Sequence, residues 1–149
     1  FAFHIEVQHA LLKAFADMAP ARILGGQTTN LTESEKARFQ SGQTRLLVAS
    51  IKAAREGHTL TAASDVLFVE QGWTPGEHAQ AEDRCNRIGQ DAKYVFAHYL
   101  LAEDTVDEFV HELIEKKREI FKAVADGDID FTDDDVTNAV IDHLKGKGR

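Results

Sequence analysis

The chain is poor in cysteine, in long apolar runs and in positive charge. Its single cysteine, Cys85, excludes an internal disulfide and any multi-thiolate zinc site, and it suits a reducing compartment. No apolar stretch approaches the roughly 20 residues that cross a bilayer, so no membrane partner is expected. There is no Gly-x-x-x-x-Gly-Lys-Ser/Thr loop, and no Asp-Glu pair closes an apolar strand. A complete phosphate-and-magnesium site of that kind therefore cannot be assembled from these residues alone. No metal site is expected either. His111-Glu112 has Glu115 where a zinc helix needs its second histidine, and the Asp126, Asp128, Asp130 series has Phe131 where a calcium loop needs glycine. Lys and Arg number 17 against 25 Asp and Glu, a net charge of −8, a sign that by itself opposes nucleic-acid binding. The deficit is uneven: the first 98 residues carry 10 basic and 11 acidic side chains, and the remainder 7 and 14. At physiological salt, charge is screened beyond roughly 8 Å, so an acidic appendage repels nucleic acid only where it lies close to it.

What is present is one domain's worth of core, with 149 residues of which 43% are apolar. Phe1-Ala2-Phe3-His4-Ile5 reads as the body of a strand with no turn or cap before it, as in a piece of a longer chain. Residues 6–18 place Val7, Ala10, Leu11, Ala14, Phe15 and Met18 at helical spacing, and Pro20 stops them. Apolar runs over 21–24, 45–50, 65–70 and 93–101 predict strands. The continuous runs suggest strands covered on both faces. Thr32 followed by Glu35 predicts a capping box that opens a helix through Phe39, and residues 76–88 predict another helix. Strands alternating with helices of this length indicate βαβ units and a mainly parallel sheet, an α/β fold, up to about Leu101. Beyond it the spacing is helical over 104–125, then Asp126-Gly127-Asp128 breaks it, and Thr132 and Asp135 can cap a last helix through Leu144.

Residues 80–90 read Gln-Ala-Glu-Asp-Arg-Cys-Asn-Arg-Ile-Gly-Gln. Arg84 and Arg87 are three apart, so on a helix their guanidinium groups share one face and can converge on one target. Planar, permanently charged guanidinium suits a polyphosphate whose charge shifts during transfer. A solvated face with salt bridges to Glu82 and Asp83 is the plainer alternative for such a pair.

This stretch, with Trp73-Thr74-Pro75 before it, resembles the last helicase motif of the Swi/Snf-like superfamily-two DNA-dependent ATPases. Residues 50–63 are similar to that family's fifth motif, and Leu24-Gly25-Gly26-Gln27-Thr28 to a short motif after an early strand. The resemblance covers roughly residues 1–126, is nearest the annealing-helicase-like branch, and implies the second, C-terminal RecA-like lobe of a two-lobe motor. It implies a lobe over 1–101, a brace-like helix over 102–126 that packs on the lobe, and an acidic helix and tail over 127–149.

The resemblance also implies roles. Arg87 and its companion Arg84 would stabilise charge developing on the γ-phosphoryl group. Gln80, Gln90, Glu56 and Gly57 would position or couple the nucleotide. Gly25, Gly26, Thr28, Ser50, Lys52, Thr59 and Thr61 would meet the DNA backbone. Ala54, Arg55, Glu56 and Thr59 depart from the family pattern, and Arg55 is a further phosphate candidate. Trp73 reads as a packing anchor at the inter-lobe face, with a base-stacking platform as the alternative, and Cys85 as a buried thiol. ATP and Mg²⁺ belong to the full-length protein, with Mg²⁺ held mainly by an N-terminal lobe not contained here, so the fragment should be an inactive monomer that binds no cofactor. Its partners would be double-stranded DNA and that lobe. The compartment would be the cytoplasm of a bacterium or phage-infected cell, or the nucleus of a eukaryote. A non-catalytic DNA or protein-interaction module with the same shape, and an autonomous nucleotide or flavin binder, are the alternative readings.

Overall fold

A computed structural model describes residues 1–53 and 57–125. In chain order the elements are α1 (Ile5–Ala14), β1 (Ala21–Ile23), α2 (Thr29–Gln40), β2 (Leu47–Ala49), β3 (Asp65–Phe68), α3 (Pro75–Cys85), β4 (Phe96–Tyr99) and α4 (Val106–Ala125). Strands β1 and β2 pair in parallel with Ala21 opposite Leu47, and β3 and β4 do so with Asp65 opposite Phe96. Each pair encloses one helix, so the described residues hold two βαβ units. Phe1 and Ala2 join them. The Ala2 N–H donates to the Ala49 carbonyl and Ile51 N–H to the Ala2 carbonyl, both at 3.1 Å, while Val69 N–H reaches the Phe1 carbonyl at 2.9 Å. The rows therefore run β1, β2, residues 1–2, β3, β4, all parallel.

The predicted opening strand is thus only two residues long. At Phe3 and His4 the chain leaves the sheet because both N–H groups turn to the Glu70 carboxylate at 2.9 Å, and α1 begins at Ile5. The predicted capping box does not form. Thr28 is the N-cap of α2, its Oγ1 accepting from Leu31 N–H at 3.4 Å. Glu35, buried, accepts instead from the Arg22 N–H at 3.0 Å and from Arg38 Nη1 at 2.9 Å. Arg22 lies in edge strand β1, and Glu35 satisfies an N–H that would otherwise face outward unpaired.

One face of the sheet holds the core of residues 1–101. Ile23, Phe39, Ile51, Leu60, Val66 and Phe68 pack there with Ala81 and Cys85 of α3. The Phe68 ring stacks on Tyr99 at 4.8 Å between centroids and meets His78 edge-on at 5.1 Å. Full burial of such a ring contributes on the order of 2–3 kcal/mol. The expectation of strands covered on both faces fails for the second unit. Leu67 is 43% and Phe96 57% exposed, so β3 alternates between a packed and an open side.

The described residues from 102 to 125 belong to a unit of their own. Within it, Thr105 Oγ1 donates to the Ala102 carbonyl at 2.7 Å and accepts from Asp107 N–H at 3.2 Å, which opens α4. The expected last helix and acidic tail over 127–149 lie outside the described residues.

Candidate functional site

Because the rows are parallel, their C-terminal ends share one edge, the side on which open α/β sheets bind ligands. The turn after β1 reaches this edge with Gly25 and Gly26 exposed, and Gly26 has φ +77°. Gln27 Oε1 closes the turn by accepting from Leu24 N–H at 2.9 Å, and Thr28 starts α2. No atom lies within 4 Å of a Cβ built on Gly25 or Gly26, so backbone there is open to close approach. Beyond β2, Ser50 is buried, its N–H given to the Ile23 carbonyl at 2.8 Å. Lys52 is exposed, with Nζ 4.4 Å from the centroid of the Phe3 ring.

Beyond β3 the same edge holds a polar corner. Glu70 Oε1 lies 2.7 Å from His4 Nδ1, while Oε2 takes the two N–H groups already described. Burial opposes its charge, but the His4 N–H, the His4 ring and the Phe3 N–H together hold the Glu70 carboxyl below its ordinary range. Two residues on, Gly72 N–H donates to the buried Nε2 of His78 at 2.9 Å. Gly72 also sits hard against the Glu77 carboxylate, so a side chain at this position would displace it. Trp73 follows, 58% exposed rather than packed on its own lobe.

Two parallel strands joined by one segment require the chain to return across the layer. The segment from β2 to β3 therefore carries only its start at the C-terminal edge and its end at the opposite one. Thr61 belongs to the far side, where its Oγ1 accepts from Gln40 Nε2 at 3.3 Å and Ala62 N–H donates to Gln40 Oε1 at 2.9 Å. Gly57 and Thr59 lie along the return, Gly57 with φ +80°. Ala54, Arg55 and Glu56 lie outside the described residues.

Helix α3 runs back toward the same far side and ends earlier than its periodicity predicts. Cys85 is its last residue and Asn86 its C-cap, with ψ 71°. Gln90 accounts for the early stop: its Nε2 donates to the Cys85 carbonyl at 3.0 Å and to the Ala63 carbonyl at 2.8 Å, and its Oε1 accepts from Ala92 N–H. The amide of Gln90 thus terminates the helix and fastens it to the entry of β3. Arg84 and Arg87 do not share a helical face. Arg84 is buried in the last turn, and its carbonyl accepts from Leu60 N–H at 2.7 Å. Arg87 stands beyond the C-cap, exposed, with Nη1 3.4 Å from the Gly57 carbonyl. Gln80 is exposed midway along α3. Glu82 accepts from the Tyr99 hydroxyl, and burial pushes the Cys85 thiol up to about 11, which keeps it unreactive near neutrality.

The candidates therefore fall into two groups. Gly25, Gly26, Thr28 and Lys52 line the C-terminal edge, and Gly57, Thr59, Thr61, Arg84 and Arg87 gather around the end of α3. Glu70 and His78 carry no signal in the sequence, because their partners are distant or main-chain atoms. Among the described residues no three His, Cys, Asp or Glu side chains gather as metal ligands.

Two parallel βαβ units joined by a central row make an α/β lobe of the RecA-like, helicase C-terminal kind. Residues 2–89 match the model of the helicase conserved C-terminal domain, and the chain belongs to that family, as a Swi/Snf-like C-terminal lobe. It is 35% identical over 130 residues to the mouse DNA annealing helicase and endonuclease ZRANB3, covering 85% of this chain and 12% of that protein. It is 37% identical over 127 residues to the Drosophila melanogaster SWI/SNF-related matrix-associated actin-dependent regulator of chromatin subfamily A-like protein 1, covering 83% and 17%. The crystal structure of the C-terminal part of the Fun30 ATPase domain superposes with a TM-score of 0.71 at 26% identity, covering 76% of this chain and 38% of that one. The chain thus spans less than a fifth of the length of these two curated relatives.

Proposed function

We propose that this lobe is the moving half of an ATP-driven double-stranded DNA translocase, whose other lobe holds the phosphates and Mg²⁺. Nucleotide between the lobes draws them together as Arg87 meets the γ-phosphoryl group, and hydrolysis lets them part. Arg87 is the finger. Arg84 is enclosed in the last turn, where its main-chain carbonyl, rather than its guanidinium, ties the α3 end to Leu60 N–H. The supporting observation is the placement of Arg87: exposed beyond the C-cap, it spends one N–H on Gly57 and keeps the rest of its planar fork for an anion. Gly25, Gly26, Thr28 and Lys52 meet the phosphate backbone without reading sequence, on the part of the chain where charge is nearly balanced. The two curated relatives named above are animal proteins, which favours a nuclear setting over a bacterial cytoplasm.

The test is DNA-stimulated ATP hydrolysis by the full-length protein carrying Arg87→Ala. An arginine finger contributes about 10³ to 10⁵ in rate, so turnover should fall by at least about a thousandfold with the melting temperature unchanged. Unchanged hydrolysis would leave the lobe as a non-catalytic interaction module.

A further inference from the structure

The cation–π pair between Lys52 and Phe3 joins the segments that leave two neighbouring rows of the sheet. Phe3 follows Ala2, which bridges to Ser50, and Lys52 lies two residues past that bridge. The aromatic partner is itself fastened. Phe3 N–H is bound by Glu70 Oε2 at 2.9 Å, the Phe3 carbonyl accepts from Gln8 Nε2 at 3.3 Å, and the ring meets the His4 imidazole edge-on at 5.2 Å. Gln8 is buried, so the contact is anchored in the interior. A lysine on a free surface samples many rotamers, and a contact made by it costs that freedom.

We propose that Phe3 is a positioning residue: with its main chain held by Glu70 and Gln8 and its ring against His4, it seats the Lys52 ammonium at the sheet edge, so that it meets a duplex phosphate already in place. The inference rests on the reading of Lys52 as a DNA-backbone contact and adds the device that orients it. The ring face attracts the cation and leaves the outward N–H donors available to a phosphate oxygen.

The experiment is a double-mutant cycle on duplex-DNA affinity in the full-length protein, measured by fluorescence anisotropy across a salt series. Lys52→Gln should lower the slope of log affinity against log salt by roughly 0.9, the signature of one phosphate contact. Phe3→Leu, which keeps an apolar side chain but removes the π face, should weaken binding about two- to fivefold when Lys52 is present and have no effect in the Lys52→Gln background. Phe3→Tyr should retain wild-type affinity, which separates the seat from mere folding. If Phe3→Leu costs the same factor in both backgrounds, the seat is refuted while the Lys52 contact stands. If Lys52→Gln leaves both slope and affinity unchanged, Lys52 does not touch DNA and the seat falls with it.

Discussion

Arg38 and Arg87, one arginine from each βαβ unit, are held in opposite ways. In the first, Arg38 near the end of α2 gives Nη1 to both oxygens of Glu35 at 2.9 Å and Nη2 to the Ala19 carbonyl at 2.8 Å. Its fork is consumed within the fold, and it ties α2 to the turn before β1. In the second, Arg87 lies past α3 and has one longer contact, to the Gly57 carbonyl at 3.4 Å. A structural arginine is closed by a carboxylate in place. The arginine proposed to act on nucleotide is held by a single carbonyl, so its orientation is restrained without being satisfied.

Substitutions can break this contrast. The largest effect is expected from Arg87→Ala, which should cost the full-length protein about 10³-fold or more in DNA-stimulated turnover and leave its unfolding midpoint where it was. Arg38→Ala should do the reverse. Losing the partner of a half-paired, buried Glu35 should destabilise the lobe by about 2 kcal/mol, read by urea titration, with turnover per folded molecule unchanged. A comparable loss of turnover in both variants would erase the distinction.

A smaller effect sharpens the comparison at the Glu70 corner, where a carboxylate holds main chain instead of arginine. The Glu70 carboxyl sits below its ordinary value of 4.5 in the folded lobe. Its contribution is therefore complete above that value and is lost as pH falls through the lower folded one. Glu70→Gln should remove about 1 kcal/mol at neutral pH and flatten the acid limb of a stability profile measured between pH 3 and 7. An acid limb identical to wild type would show that other carboxylates govern it.

All four strands are legible in the apolar runs, and α/β class follows from their alternation with helices. What escapes is what distant side chains decide. The helix over 76–88 overshoots because periodicity cannot register Gln90 donating back to the Cys85 carbonyl. The capping box at Thr32 and Glu35 looks right locally, yet Glu35 is claimed by a strand N–H 13 positions earlier. Glu70 is silent in sequence since its donors are Phe3 and His4, 67 and 66 positions away. Of the site, the arginine motif is visible as a pattern, but the separation of Arg87 from the face of Arg84 depends on where the helix stops. The return of the β2-to-β3 segment across the layer is implied by parallel pairing, and it is this that moves Thr61 away from Lys52.

The row formed by Phe1 and Ala2 also bears on the order in which the lobe folds. Each βαβ unit can assemble from contacts close in sequence, but their strand pairs are joined into one sheet by bonds such as that from the Phe1 nitrogen to the Leu67 carbonyl, 66 positions apart. Closing so long a loop is entropically costly and gains nothing until both units exist. The middle row should therefore close last, giving Ala2→Gly a φ-value near zero in stopped-flow refolding while Ile23→Val and Val66→Ala give higher ones. A value near one at Ala2 would mean that the sheet is nucleated at its centre.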